Sequence, residues 1–555
     1  MEQIMKKKFV HFAVLFVVSA LLTCACGTFA SAAEDSSLLR VGLYYGDSAL
    51  STANLENSVG SGYRLGYFDS DLSFVQLGYT TETKISVLKT QNIYLASDLT
   101  YTTEATSNGA VGCYHLQLPD TYTDFDSCKE AADELSGGFP AWISGTYYVR
   151  VGAYTTNAEA TAAQAALGLD SSVTWTSSYA VSVTKTGTTT ILFQFDGGED
   201  DSLGIEPGLD DSQKTKTWFK GYKYYGSFRY QRISGGNLTV VNIIDMEDYI
   251  KGILPYEMSS SWPLEALKAQ AVCARSYALS NGTKHSKYNF DVCNSTDCQV
   301  YRGTNLSTDE TDQAVDETEG LLALYGGQVC NTVYYSCNGG ASESSENVWS
   351  TSYGYLKGVT DPYEADIASK VSQYNWTVTY TADELKTELN DAGYQCSTIV
   401  DFYVSKFTDT GNVYSITFLD SNGKTWTFSK QSARTFLGLR SQRYTIAGSG
   451  QSGGTYYVDQ SGDTLSSLQG VYAIDGSGDT SALSGSSFYA ITGSGTTAVD
   501  SGGSSSGSTA FTISGSGWGH NVGMSQWGAY AMANRGCTYD EILKFYYTGI
   551  TIGTK

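Results

Sequence analysis

Glu257 stands in the tight segment Leu254-Pro255-Tyr256-Glu257-Met258, where Pro255 stiffens the backbone and apolar neighbours flank the carboxylate. Burial raises a carboxyl pKa and a nearby cation lowers it. Lys268 and Arg275 follow, two turns apart on a segment whose spacing predicts a helix, and each needs an anionic partner. A carboxyl held between those pulls suits general acid and base work. The same residues would equally make a structural ion pair closing a loop onto a helix, and the residue types alone leave both readings open. A second constellation is His285, Cys293 and Cys298. One imidazole and two thiolates supply three ligands to Zn²⁺ and leave one open position, whereas a Cys-x4-Cys pair in an exported protein also makes a disulfide. A third is Gly515 to Gly528, in which several glycines surround His520. Such a loop brings backbone amides and an imidazole close to a ligand, unless the histidine is packed and orients the loop. Glu343 and Glu346 are the candidates for a second carboxylate, with Glu346 read as a solvated surface acid.

These groups need elements to hold them. Asp245 to Ser280 contains a helix in its second half, with Ser261 as a cap, Pro263 in the first turn and Gly282 at the end. Leu264, Leu267, Ala271, Ala274 and Ala278 form its apolar stripe. Leu238 to Asn242 is a strand leading into it. Further on, Asp383 to Gly393 reads as a helix, and Ser397 to Phe407, Val413 to Leu419 and Thr425 to Phe428 as strands. Thr538 and Glu541 form a capping box for the last helix. Upstream, residues 34–108 are strand-like runs between turn residues. Residues 113–185 follow the order β-α-β-β-α-β, ending in a strand at Tyr179 to Val183, with Cys113 and Cys128 placed to bridge. Residues 187–217 are acidic and rich in Gly, Ser and Asp, and read as a linker; residues 448–508 read as a Gly/Ser-rich β-insertion.

A chain of 555 residues holds more than one domain. Its net charge of −23 argues against nucleic acid, which needs a basic surface. The 42 tyrosines and 59 glycines fit β-rich domains with carbohydrate-facing surfaces, or exported sheets filled with tyrosine. Lys6 to Lys8, an apolar run from Phe9 to about Cys26, and Ala30-Ser31-Ala32-Ala33 make a secretory signal over residues 1–33, with an uncleaved anchor as the alternative. Of 11 cysteines, Cys24 and Cys26 fall in that segment, so an odd number remains and at least one is unbridged.

The stretch DMEDYIKGILPYEMSSSWPLEALKAQAVCARSY closely resembles the opening of the stage II sporulation protein D (SpoIID) family. That family's Glu in the P-x-EM motif is the catalytic residue of a peptidoglycan lytic transglycosylase, and it aligns with Glu257. Arg275 and Lys268 would then position it or a substrate acid. Tyr334 to Trp349 resembles the family's Y-x-S-x-x-GG-x-T-E segment, with Tyr335 and Ser342 as substrate-binding residues and Gly339-Gly340 admitting a sugar. GSGWGHNVGMSQWGA resembles its GWGHGVGMSQ motif, with Asn521 in place of a Gly, and places His520, Ser525 and Gln526 along the cleft. Some members bind zinc through a His and two Cys, which implies a structural Zn²⁺ at His285, Cys293 and Cys298. Residues 147–160 resemble the SPOR family, whose domains bind glycan strands stripped of stem peptides.

These resemblances imply an α+β, multidomain chain. Residues 218–447 and 509–555 form a β-rich SpoIID-type catalytic core, and residues 109–186 a βαββαβ ferredoxin-like SPOR module. The implied activity is an exported lytic transglycosylase at the cell wall that acts on denuded peptidoglycan glycan strands. A non-catalytic, glycan-binding enhancer of a cell-wall amidase is the alternative, and a zinc hydrolase a third.

Overall fold

The short apolar runs of the N-terminal half find partners far apart in sequence. A computed structural model describes residues 38–209, 214–372, 374–448 and 510–555, plus three strand pairs between 456 and 500. The expected signal segment, with Cys24 and Cys26, and most of the Gly/Ser-rich insertion lie outside the described residues. Strands and helices together give an α+β chain in several sheets. It divides into two units: one holds the described residues up to Ile253 together with Gly282–Leu306, the other Leu254–Asn281 and Ser307–Lys555. No helix among the described residues is long and apolar enough to cross a membrane.

In the first unit, residues 38–89 feed two sheets. Leu38–Tyr44 pairs with Thr239–Asp245 and, in parallel, with Val292–Cys293. Thr52–Val59 and Lys84–Lys89 join a ten-stranded sheet. From Leu38 on, this segment is therefore built into the unit rather than standing apart. The run Tyr114–Tyr122, Phe125–Asp133, Gly138–Ile143, Thr146–Tyr154, Asn157–Leu167 has the expected β-α-β-β-α order. Its last strand is Ser172–Trp175, which pairs with Tyr114–Tyr122. The strand expected at Tyr179 to Val183 is Val181–Lys185 instead, which pairs with Lys84–Lys89. Apolar alternation found the strand and could not say which neighbour it would take. The stretch read as a linker contains Ile191–Asp196 and Leu203–Pro207, both paired on two sides. Acidic and glycine-rich flanks hid these short apolar runs. None of the described cysteines is bridged, Cys113 and Cys128 included.

In the second unit the central helix is Leu264–Ser280. Pro263 is its N-cap and no side chain caps it; Asn281 ends it. It is buried nearly all round, from Ala266 to Ala278, so the predicted stripe is part of a wider apolar surface. Helices Asp309–Asp316, Gln526–Asn534 and Tyr539–Tyr546 pack on it. A separate core gathers Trp376, Leu385, Phe402, Phe418, Trp426 and Ile513. Its elements are the helix Ala382–Asp391, the strands Ile399–Phe407, Val413–Asp420 and Thr425–Ser429, and the sheet of Asn375–Thr381, Ala510–Ser516 and Tyr444–Gly448. The strand Ala510–Ser516 delivers the glycine-rich loop. Beyond that loop, Met524–Ser525 pairs in parallel with Tyr334–Tyr335.

Candidate functional site

Glu257 ends a single helical turn, Leu254–Glu257, and is half-buried. Gln526 Nε2 lies 3.2 Å from both its backbone oxygen and its Oε2. One amide thus grips backbone and carboxylate together. Gln526 is the first residue of Gln526–Asn534, a helix capped by Ser525, whose Oγ accepts from Gly528 N. Beside it, Trp262, Trp527 and Tyr530 form a half-buried aromatic group with ring centroids 4.6 to 5.3 Å apart.

Lys268, one of the two cations expected at Glu257, is paired with other acids. Lys268 Nζ is 2.9 Å from Glu265 and 2.6 Å from Glu317. It makes no ion pair with Glu257, because an acid one turn back and another on the next helix neutralise it first. Arg275 is buried, and its guanidinium donates to the Leu321 carbonyl at 3.0 Å.

The glycine-rich loop is held from within. Asn521 takes the left-handed backbone (φ 63°), as expected of an Asn in a glycine position. Its side-chain amide donates to the Asn338 carbonyl at 2.9 Å. His520 packs between Tyr335 and Trp349, with centroids at 5.3 and 5.1 Å, and its Nδ1 accepts from Val522 N. Burial pushes the imidazole down to about 4, the Arg434 charge adding to this and a bond to the Tyr334 backbone opposing it. His520 is therefore neutral at pH 7 and engaged in orienting the loop. Tyr335 and Ser525 are buried.

Ser525 Oγ donates to Glu364, a carboxyl that motif reading missed. Glu364 is wholly buried and also accepts from Asn338 N at 2.7 Å and Gly339 N at 2.9 Å. Burial pushes its carboxyl up to about 7, the Asp361 charge adding to this. Asp361 accepts from Asn338 Nδ2 and the Tyr546 hydroxyl. Two acids flanking Pro362-Tyr363 were the only sequence hint of this pair. They fix the Asn338-Gly339-Gly340 turn from behind. A Cβ on Gly339 (φ 76°) would meet Ser516 at 2.5 Å, and one on Gly340 (φ 125°) would face Arg443 at 3.3 Å. The space beside both glycines is thus taken by the protein itself.

Ser342 is buried, its Oγ accepting from Val359 N at 2.9 Å. Glu343 is buried too and accepts five hydrogen bonds: from Ser344 N, Asn347, Thr408, Thr410 and Asn412. An anion so solvated is a structural hub. Glu346 pairs with Lys357 at 2.5 Å, in keeping with a surface acid.

In the first unit, the ligand atoms of His285, Cys293, Cys298 and Asp297 all lie within 4.8 Å of one another. Asp297 was not foreseen. His285 Nε2 is 3.2 Å from Cys298 Sγ and 3.4 Å from Asp297 Oδ2, and both cysteines are free thiols. Hydrogen bonding with Cys298 holds the Cys293 thiol well below its usual range. One imidazole, two sulfurs and one carboxylate make a four-donor set suited to Zn²⁺, with no open position for substrate. Phe290 stacks on the imidazole at 4.9 Å and so orients it.

A family model described as stage II sporulation protein matches residues 234–325. The chain is 34% identical over 337 residues to an uncharacterized protein of Brachyspira hyodysenteriae, covering 60% of this chain and 73% of that one. It is 32% identical over 313 residues to a Bacillus subtilis protein named amidase enhancer, covering 55% of this chain and 40% of the relative. It is 27% identical over 331 residues to stage II sporulation protein D of the same organism, covering 57% of this chain and 76% of the relative.

Proposed function

This chain belongs to the stage II sporulation protein D family, and we propose that it is an exported lytic transglycosylase. It cleaves stem-peptide-free peptidoglycan strands between N-acetylmuramic acid and N-acetylglucosamine. The observation that carries the proposal is the setting of Glu257: half-buried, gripped by Gln526, and beside the Trp262–Trp527–Tyr530 aromatic group on which sugar rings can lie. Ordinary glycosidases pair two carboxyls, the second activating water or attacking the sugar. The acids expected to supply that second group are spent elsewhere, Glu343 on five donors and Glu346 on Lys357.

One carboxyl suffices if water is not the nucleophile. Protonated Glu257 gives its proton to the glycosidic oxygen, which leaves C1 of the muramoyl ring with the bonding pair. The C6 hydroxyl of the same ring attacks C1, and the Glu257 carboxylate takes its proton. The products are a 1,6-anhydromuramoyl end and a free 4-hydroxyl, with no water consumed. Gln526 is a positioning residue, and His520 holds the loop that carries it. The module at residues 109–186 holds the denuded strand in the manner of SPOR domains. Zn²⁺ on His285, Cys293, Cys298 and Asp297 is structural.

Mass spectrometry of denuded strands incubated with the purified chain tests this. Anhydromuramoyl ends from wild type and none from Glu257→Gln are expected. Reducing ends would mean hydrolysis and overturn the mechanism. The relative named amidase enhancer favours one other reading, a glycan-binding partner of a wall amidase. Glycan binding without cleavage, with an amidase accelerated by the Glu257→Gln protein as well as by wild type, would establish that reading instead.

A further inference from the structure

From Ser212 to Ile244 the chain carries Lys214, Lys216, Lys220, Lys223, Arg229 and Arg232 and no acid, although its net charge is −23. The two arginines are buried and bond inward. Arg229 donates to the Asn289 carbonyl, and Arg232 to the carbonyls of Ala180, Gly235 and Gly236. The lysines lie on or beside a hairpin of the first unit, Lys216–Phe219 and Tyr222–Tyr224, which ends the ten-stranded sheet. Trp218 stands opposite Lys223 in that hairpin, so the two side chains share one face. The indole is 40% exposed. Lys214 and Lys216 reach over the Tyr225 ring, their Nζ atoms 4.6 and 5.2 Å from its centroid. Two bordering acids are already matched. Asp248 pairs with Lys214, and Glu56, the neighbour of Trp218 on the next strand, pairs with Lys84 at 2.9 Å. Lys216, Lys220 and Lys223 take part in no ion pair among the described residues. At the outer edge, Lys223 N donates to Asn305 and the Lys223 carbonyl accepts from Thr304 N. The hairpin therefore offers a partner its side chains rather than an open strand edge.

Like charges held together repel one another and do nothing for the fold. A chain rich in acids that keeps three lysines clear of them presents a local positive field to an external anion. We propose that this face of lysines and Trp218 binds the denuded glycan strand, with the indole under a sugar ring and the lysines against muramoyl carboxylates. The inference rests on the glycan-cleaving reading above and adds a strand-holding surface outside the unit of Glu257. A muramoyl carboxyl is an amide while a stem peptide is attached and a free anion once the peptide has been hydrolysed off. A denuded strand thus repeats a single charge on every muramoyl ring. Lysines are point charges on flexible stems and suit charges spaced in this way, while an amphipathic aromatic ring suits the sugar between them.

Calorimetric binding to the full exported chain carrying Glu257→Gln, which stops turnover, tests it at low and high salt. The probes are denuded strands, the same strands with their carboxyls reduced, a glycerol phosphate polymer, and vesicles of phosphatidylglycerol. Denuded strands should bind roughly tenfold tighter than reduced ones at low salt, and salt should shrink that preference. Adding Lys216→Gln, Lys220→Gln and Lys223→Gln together should remove the preference and leave binding of reduced strands within about twofold. Lys216 and Lys223 are tied into the hairpin through backbone atoms, so this variant should keep its fold. Trp218→Ala is the second variant and should weaken both strand probes alike, roughly fivefold. The same charge change in the other unit, Lys386→Gln, Lys406→Gln and Lys544→Gln together, should leave every affinity within about twofold. Equal affinity for denuded and reduced strands would overturn the face and leave the glycan reading standing. So would a hairpin lysine variant that binds like its parent. Lysine-dependent binding of the phosphate polymer or the vesicles in preference to denuded strands would overturn the glycan assignment of this face. Wild-type cleavage of the same strands, followed alongside, reports on Glu257 separately: absence of anhydromuramoyl ends would overturn the glycan-cleaving reading whatever the hairpin binds.

Discussion

Ser525 donates to Glu364 and the next residue, Gln526, donates to Glu257, so adjacent positions of one loop hold two carboxyls in different surroundings. Glu364 has no solvent exposure and accepts from two backbone amides and a hydroxyl. Glu257 is half-buried beside aromatic rings. The first carboxyl is shifted by burial and works on the fold; the second is only half-buried and is the proposed general acid. A carboxyl shifted by burial here marks an acid that holds the fold, so a perturbed pKa alone does not single out a functional site.

The comparison breaks first at Glu257. Glu257→Gln should lower the cleavage rate at least about a hundredfold, the usual scale of a general acid, and leave the melting temperature unchanged. Glu364→Ala should do the reverse in kind: it strands three buried donors, costs about 3 kcal/mol of stability in chemical denaturation, and weakens cleavage only as far as the Asn338 turn loosens. Gln526→Ala should lower kcat roughly tenfold through misplacement of Glu257, and Gln526→Glu should do no better, because an ionised carboxylate cannot donate to Glu257 and repels it.

The pH response sharpens the contrast. Glu364 is raised in the folded protein from an ordinary 4.5 to about 7. The folded state therefore holds this proton more tightly than the unfolded state. Its contribution to stability is full below about pH 4.5 and is lost as pH rises through 7. His520 is lowered from 6.5 to about 4, so its contribution is present above 6.5 and is lost as pH falls. The two slopes oppose each other between pH 4.5 and 6.5. Denaturation curves of Glu364→Gln against wild type across that window should expose the His520 slope: the variant should gain stability with pH more steeply. Parallel curves would place the Glu364 carboxyl at its ordinary value. The smallest effect on activity should come from a chelator, because the four-donor cluster belongs to the other unit. The melting temperature should fall several degrees while cleavage stays within about twofold.

Much of this was legible in the residues. Apolar spacing located the helix Leu264–Ser280 and the strands Ile399–Phe407 and Val413–Asp420 to within a few positions. Motifs singled out Glu257, the His520 loop and the His285–Cys298 cluster, and Asn521, standing where a Gly is usual, has the left-handed backbone that Asn tolerates. Those are local properties: periodicity, turn chemistry and ligand spacing act over a few residues. Partnership was not legible. Gln526 reaches Glu257 across 269 positions and Ser525 reaches Glu364 across 161. Lys268 went to Glu265 and Glu317, and the strand at Val181–Lys185 to a neighbour almost a hundred residues away. Asp297 joined the four-donor set with no spacing to announce it. How deeply each acid is buried depends on what packs against it, and packing is decided by the whole chain at once. The sequence by itself determined the chemistry on offer; the tertiary structure decided which carboxyl is fully buried and which only half-buried.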